Sequence, residues 1–441
     1  MKPPKIILSA FLLLILVGAL LLSLPIATRS GQRCAPGDAL FTAVSAACVT
    51  GLVVQDTASF WSPFGQAVIL LLIQAGGLGV VTVSVLFALL TGRRIGLRHR
   101  FLMQESISAP QMGGIVRLTC FLLVVTLTIE LVGAALLSLR FCPQSGWKRG
   151  LWYAIFHSVS AFCNAGFDLM GTAEAPFASL TGFGGDFFVS SVIAFLIVAG
   201  GLGFFTYDDL RTCGFRFRRY HLQTKLILIS TALLLFLPAV FFFFLEFSRP
   251  SWTGMDAGQM LLLSFFQSVT ARTAGFNTAE LSLFCPPSLA LLCFLMLIGG
   301  SPSSTAGGIK TTSLAVLFLR ARSAFSNHSE IQGFQRRIPF SILQAAVTIA
   351  LLYLLLSLTA GFALCYLEEI SLLSAIFESV SALGTVGLSL GLTPQLGLAS
   401  RCILMLLMYL GRVGGLTLLY AVAQTHQMQS SHFPQEGVAV G

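Results

Sequence analysis

The chain has 441 residues, of which 56% are hydrophobic and only 10% charged, and its mean hydropathy is +0.87. A soluble domain carries about 25% charged residues, and no soluble core hides this much apolar surface, so the solvent is lipid. The formal charge of +9 is not a nucleic-acid signature, because the basic residues gather in short loops between apolar segments; no nucleic-acid partner is expected.

The first apolar run, Ile6 to Leu24, is too long for a signal-peptide core, and no small-residue cleavage site follows it. It reads as the first span. Stretches long enough to cross a membrane lie at 6–27, 61–90, 115–139, 187–207, 222–247, 289–318, 340–366 and 402–423; a span needs roughly 20 residues. Eight spans place both termini on one side. The basic loops then share that side: Arg93, Arg94, Arg98 and Arg100; Arg211, Arg216, Arg218, Arg219 and Lys225; Arg320, Arg322, Arg336 and Arg337. The positive-inside rule makes that side the cytoplasm, together with Lys2 and Lys5 at the N-terminus.

Between the members of each successive pair lies a shorter apolar segment followed by a polar, glycine-containing stretch. The four are "FTAVSAACVTGLVVQD", "AIFHSVSAFCNAGFDL", "LSFFQSVTARTAGFNT" and "IFESVSALGTVGLSLG". Their glycines, Gly51, Gly166, Gly275 and Gly387, are 115, 109 and 112 residues apart. A period this regular means four copies of one unit. The short segments have re-entrant rather than spanning length, and the polar loops after them tolerate membrane depth only inside protein or along a water-filled path.

The expected fold is therefore an all-α polytopic membrane protein. Four tandem units of helix, pore helix, filter loop and helix surround a central pore, with eight spanning and four re-entrant helices. Residues 1–91 form unit 1; 92–210 a cytoplasmic linker and unit 2; 211–325 unit 3; 326–424 unit 4; and 425–441 a cytoplasmic tail. A dehydrated cation needs several oxygens at once, and backbone carbonyls from four loops supply them in rings. Glycine allows the backbone angles this requires, and the C-terminal ends of the short helices favour a cation at the same point.

The sixth span is interrupted by "GGSPSSTAGGIK", residues 299–310. Glycines and a proline here break the helix, and the freed backbone groups need protein or water partners. Below the filter, such a segment reads either as a gate or as a static kink packed between helices. Arg412 lies inside the last span, where an unpaired charge costs a few kcal/mol, so it faces the interior with the loop carbonyls as partners. Lys310 is expected to snorkel toward the cytoplasm, and Arg272 and Glu378 to pair behind the filter. Eleven of the 17 acids fall on outward segments, which also hold eight bases, so the outward excess is slight.

The ten cysteines and six histidines show no ligand spacing, no cluster of acids and nucleophiles marks an enzyme, and no GxGxxG follows a strand pattern. A secondary cation carrier with a midplane site is the rival reading, but such carriers usually use inverted repeats.

These loops resemble the selectivity filters of the Trk/Ktr/HKT superfamily of potassium transporters, with the bacterial Ktr-type membrane subunit the nearest branch. "VTGLVVQDT", "SAFCNAGFDL", "SVTARTAGFNT" and "SALGTVGLSLGLTP" match in order, "GGSPSSTAGGIKTTS" resembles that family's gating loop, and "GRVGGLT" its last-helix arginine motif. "QAGGLGVVT" and "AGGLGF" match its glycine-rich helices, and the chain begins directly at the first helix of unit 1. Departures are Cys163, Pro302 and Gly415; Gly51, where sodium-selective relatives often carry Ser, favours potassium.

The resemblance implies a K⁺ filter of Val49, Thr50 and Gly51; Asn164, Ala165 and Gly166; Thr273, Ala274 and Gly275; and Thr385, Val386 and Gly387. It implies a gate of Gly299, Gly300, Ser301, Ser303, Ser304, Thr305, Gly307, Gly308 and Lys310, with Arg412. K⁺ is the transported ion and no enzymatic cofactor is expected. The implied partners are a second copy of the chain and a cytosolic nucleotide-binding regulatory ring of the TrkA/KtrA kind, which alone would hold nucleotide. The implied location is the bacterial plasma membrane. Sodium-selective or sodium-coupled transport within the same family is the alternative.

Overall fold

The computed structural model describes residues 3–79, 114–252, 254–326 and 330–414. The basic group Arg93 to Arg100, residues 80–90 of the 61–90 segment, Gly415 and the 425–441 tail lie outside these residues.

Fourteen α-helices follow one another in the described residues, in four groups. Group one contains α1 (Pro3–Leu22), α2 (Pro36–Ala47) and α3 (Pro63–Leu78). Group two contains α4 (Ile115–Ser145), α5 (Trp147–Phe162), α6 (Phe187–Gly201) and α7 (Phe204–Cys213). Group three contains α8 (Leu222–Phe241), α9 (Ala257–Thr270), α10 (Pro286–Leu297) and α11 (Thr311–Phe325). Group four contains α12 (Phe340–Glu368), α13 (Leu372–Gly384) and α14 (Leu398–Val413). The first helix of each group, α8 together with its continuation to Glu246, is long and apolar enough to cross a membrane. The chain is a multi-pass membrane protein.

These first helices carry their apolar side chains outward. Leu13, Leu131, Leu237 and Leu355 are among the exposed ones, as expected where lipid is the solvent. The short second helices, α2, α5, α9 and α13, bury half or more of their residues, and their C-terminal ends are wholly buried. Side-chain caps set several helix starts: Ser62 accepts from Gly65 N, Asp186 from Phe188 N and Val189 N, Asp256 from Gly258 N, and Ser371 from Ser374 N. Each satisfies an amide that has no partner within the helix.

The fourth helical segments depart from simple spans. The 187–207 stretch is not one helix: α6 ends at Gly201 and the chain bends by 90° into α7. Gly203, with φ +82°, allows the turn. The third group is interrupted at 298–310, as the glycines and proline predict, between α10 and α11. A two-stranded antiparallel hairpin, β1 (Ile331–Gly333) with β2 (Arg336–Ile338), links α11 to α12. The sequence reading placed these residues in the third basic loop and expected no strand there.

Apolar packing joins the groups pairwise. Trp61, Phe141 and Phe156 pack in a core shared by groups one and two; Phe41, Leu404 and Met408 join groups one and four; Phe247, Phe284 and Phe377 join groups three and four. Polar links join groups one and two, and groups two and three. Trp152 Nε1 donates to Gln66 Oε1 at 2.9 Å, and Leu180 N to Asn277 O at 2.9 Å.

Candidate ion pathway and gate

Each buried helix ends where its glycine loop begins. In all four loops two residues take left-handed backbone angles with one residue between them. The outer pairs are Val49 and Gly51 (φ 58° and 92°), Asn164 and Gly166 (59° and 67°), Thr273 and Gly275 (66° and 80°), and Thr385 and Gly387 (52° and 91°). A non-glycine residue in this region is uncommon. Four repeats of the same pair show one backbone design, held by its surroundings.

The middle residues, Thr50, Ala165, Ala274 and Val386, complete a closed ring. A Cβ on Gly51 would strike Ala165 O; on Gly166, Ala274 O; on Gly275, Val386 O; and on Gly387, Thr50 O. Loop one therefore touches loop two, two touches three, three touches four, and four returns to one. All twelve residues named from the sequence meet here; besides the glycines, Val49 and Asn164 are 1% exposed and the other six are at 0%.

What holds the ring was only half visible in the sequence. The Ser or Thr of each V-(S/T)-A motif reaches the loop with its hydroxyl. Ser45 Oγ accepts from Gly51 N and Ser381 Oγ from Gly387 N, both at 3.1 Å. Ser160 Oγ donates to Phe167 O and Thr270 Oγ1 to Phe276 O, both at 2.7 Å. Counting from hydroxyl to glycine exposes a difference: six residues in units 1, 2 and 4, but five in unit 3. The third loop is one residue shorter, and Arg272 stands at the shortened end.

Above the ring lies an outer cavity of about 430 Å³, lined by all four glycines together with Asp56 and Asp168. Asp56 accepts from Phe177 N (2.9 Å), Ser59 N (2.7 Å) and Ser59 Oγ (2.7 Å), and Asp168 from Met170 N (3.0 Å). Burial pushes the Asp168 carboxyl up to about 7; the Met170 amide pulls it down and the nearby Asp56 charge raises it.

Below the ring, residues 299–310 fold into a compact plug. Gly299 N donates to Ile309 O (2.9 Å) and Ile309 N to Leu297 O (3.0 Å). The plug is tied to the break between α6 and α7: Ser301 N donates to Gly201 O (3.0 Å), Thr305 N to Gly200 O (3.3 Å), and Phe204 N to Ser303 O (2.8 Å). Thr305 Oγ1 donates to Phe162 O at 3.0 Å, the last carbonyl of α5. Ser304 Oγ closes on Ser301 O at 2.7 Å. Gly300 packs on Ala306, Gly308 on Gly299, and Gly307 directly beneath Thr385 Oγ1. On its other side the plug lines an inner cavity of about 630 Å³ with Arg412.

Arg412 donates to Thr305 O in the plug and to Gly76 O and Gly77 O (3.1 Å for the last) at the end of α3. One guanidinium thus bridges units 1, 3 and 4. Its planar set of donors suits several carbonyls at once.

Two sequence expectations are corrected. Lys310 does not snorkel: its ammonium turns back to Ala306 O (2.7 Å) and Gly307 O (3.5 Å), carbonyls of its own segment. Arg272 and Glu378 do not pair. Arg272 NH2 meets Thr231 Oγ1 at 3.5 Å, while Glu378 is taken up by Ser389 Oγ, Leu390 N and Thr393 Oγ1 at 2.6, 3.1 and 2.9 Å. The two sit at different levels of their helices, since Arg272 follows the end of α9 and Glu378 lies mid-way along α13. Glu130, also unforeseen, is a buried acid on α4 that accepts from Gln74 Nε2 at 3.1 Å.

A family model described as TrkH, cation transport protein, matches residues 5–432. The Ktr system potassium uptake protein B of Bacillus subtilis (strain 168) is 39% identical over 440 residues, covering 100% of this chain and 97% of that protein. The potassium/sodium uptake protein NtpJ of Enterococcus hirae is 37% identical over 447 residues, covering 100% and 98%. The crystal structure of the potassium transporter TrkH from Vibrio parahaemolyticus shares the fold, with a TM-score of 0.75 at 18% identity over 96% of this chain and 85% of that one. With the family model matched along nearly its whole length, the chain belongs to the TrkH family of cation transport proteins, which are transporters and not enzymes.

Proposed function

We propose that the chain is the membrane subunit of a Trk/Ktr-type potassium uptake system. K⁺ passes from the outer cavity through the ring formed by the loops at Gly51, Gly166, Gly275 and Gly387, and the 299–310 plug with Arg412 gates it from below. The closed ring of four loops carries this reading. Each loop brings a carbonyl against its neighbour's glycine, and rings of backbone carbonyls are how a dehydrated cation is held. Two relatives of near-equal similarity bear potassium uptake in their names.

The same reading assigns the four groups of helices to four repeat units, divided at 91, 210, 325 and 424. The membrane is the bacterial plasma membrane, and both termini are cytoplasmic. Opening is set by a separate cytosolic nucleotide-binding ring, and the membrane subunit works as a homodimer. A sodium-coupled form has one specific support, the potassium/sodium uptake name of the Enterococcus relative.

The deciding measurement is K⁺ and Na⁺ uptake by a potassium-uptake-deficient cell that expresses this chain, with and without the cytosolic partner. Restored growth on low K⁺ is expected. A cell that accumulates neither ion, with the protein present in its membrane, refutes the reading. Uptake of K⁺ only when Na⁺ is supplied selects the coupled form.

A further inference from the structure

Three residues before the filter hydroxyl, on the same buried helix, each unit carries a polar side chain: Thr42, His157, Gln267 and Glu378. All four are at 0 or 1% exposure. Burial of a polar group is costly without partners, so four in repeat-equivalent places ask for a reason.

Two of them grip the chain just past the filter. His157 Nδ1 meets Tyr153 O at 2.7 Å. A carbonyl only accepts, so Nδ1 carries the hydrogen and Nε2 is the acceptor. Nε2 takes the Leu169 amide at 3.3 Å. Glu378 takes the Leu390 amide at 3.1 Å, and adds Ser389 Oγ and Thr393 Oγ1. Leu169 and Leu390 are each the third residue after the filter glycine. The two contacts are therefore the same contact made with different chemistry. In units 1 and 3 it is missing: neither Thr42 Oγ1 nor either amide atom of Gln267 has a hydrogen-bond partner among the described residues.

The loops touch in the order one, two, three, four and back to one, so units 2 and 4 stand opposite each other. We propose that His157 and Glu378 are positioning residues that clamp the outer filter from two opposite sides and set how strongly the pathway rejects Na⁺. The proposal rests on the K⁺-filter reading above and adds to it the residues that hold the filter's diameter. A ring that keeps its width discriminates against the smaller ion; a slack one contracts around it. His157 extends the clamp sideways, since its ring lies 6.4 Å from that of Phe276, the residue after the unit 3 glycine.

The test uses the full chain reconstituted in lipid vesicles, with K⁺ and Na⁺ uptake measured on the same preparation. Glu378→Ala and His157→Ala are expected to lower the K⁺ to Na⁺ uptake ratio by about tenfold, the scale set by losing one hydrogen bond to a buried charged or polar group. Glu378→Gln exchanges one accepting oxygen for a donor and falls part of the way. Thr42→Val and Gln267→Leu, at the non-gripping positions, keep the parental ratio. A simple packing role predicts lower yield in all four and an unchanged ratio in the protein that folds. A parental ratio in Glu378→Ala and His157→Ala overturns the proposal; where the Ala forms do not insert, a parental ratio in Glu378→Gln does the same. An equal fall in Thr42→Val also overturns it. A parent that moves no K⁺ removes the filter reading itself, whereas a K⁺-selective parent with indifferent variants removes only the clamp.

Discussion

Arg401 on α14 donates to Asp38 on α2 at 2.8 Å, joining residues 363 apart in the chain. Asp38 lies in the first turn of the first pore helix, so the contact closes the ring between unit 4 and unit 1. Gln55 Nε2 reaches the other Asp38 oxygen at 2.8 Å, and Arg401 adds bonds to Leu396 O and Pro394 O at 2.8 and 3.0 Å. The pair is mostly shielded, with side-chain exposures of 22% and 15%.

Arg401→Ala is therefore expected to destabilise the fold. It removes a charge-assisted bond worth about 1.5–3 kcal/mol before the discount for residual solvent. The thermal unfolding midpoint of the detergent-purified protein should fall, and Arg401→Lys should recover part of the loss. An unchanged midpoint in Arg401→Ala means that apolar packing alone closes the ring.

At Gly275 the backbone has φ +80° and Val386 O occupies the place of a side chain. Gly275→Ser forces that carbonyl aside, so the K⁺ to Na⁺ uptake ratio should fall while the protein still inserts. A parental ratio would remove Gly275 from the filter.

Arg412→Ala frees the plug from α3 and removes a positive charge near the pathway, so basal flux without the cytosolic partner should rise. Arg412→Lys keeps the charge but cannot span three carbonyls, which predicts an intermediate flux. The latch is abandoned if Arg412→Ala reaches the membrane at parental levels and conducts no more than the parent.

Asp168 is expected to give ion uptake a pH dependence. Its carboxyl sits near 7, above the usual carboxylate range, so it is neutral below that pH and charged above it. A negative charge in the outer cavity concentrates cations. Influx at low external K⁺ should climb as the outside is taken from about pH 6 to 8, centred on the Asp168 value. Asp168→Asn should flatten the curve; persistence of the same midpoint in that variant assigns the effect elsewhere.

The membrane, the four repeats and the ring-forming glycines were all written in the sequence, because each follows from local chemistry. Apolar runs of spanning length have one stable solvent, and Gly51, Gly166, Gly275 and Gly387 recur since only glycine fits where a neighbour's carbonyl fills the Cβ position. The break at 299–310 was legible for the same reason, as a helix fails wherever its residues forbid it. Partner choice was not. Arg272 and Glu378 look like a pair on charge alone, yet Glu378 is saturated by Ser389, Leu390 and Thr393. Lys310 has the length to reach water but meets the plug's carbonyls first. Which donor meets which acceptor depends on how four helix groups pack around one axis, and only the tertiary structure decides that, since buried polar atoms bond to whatever the fold sets within about 3 Å of them.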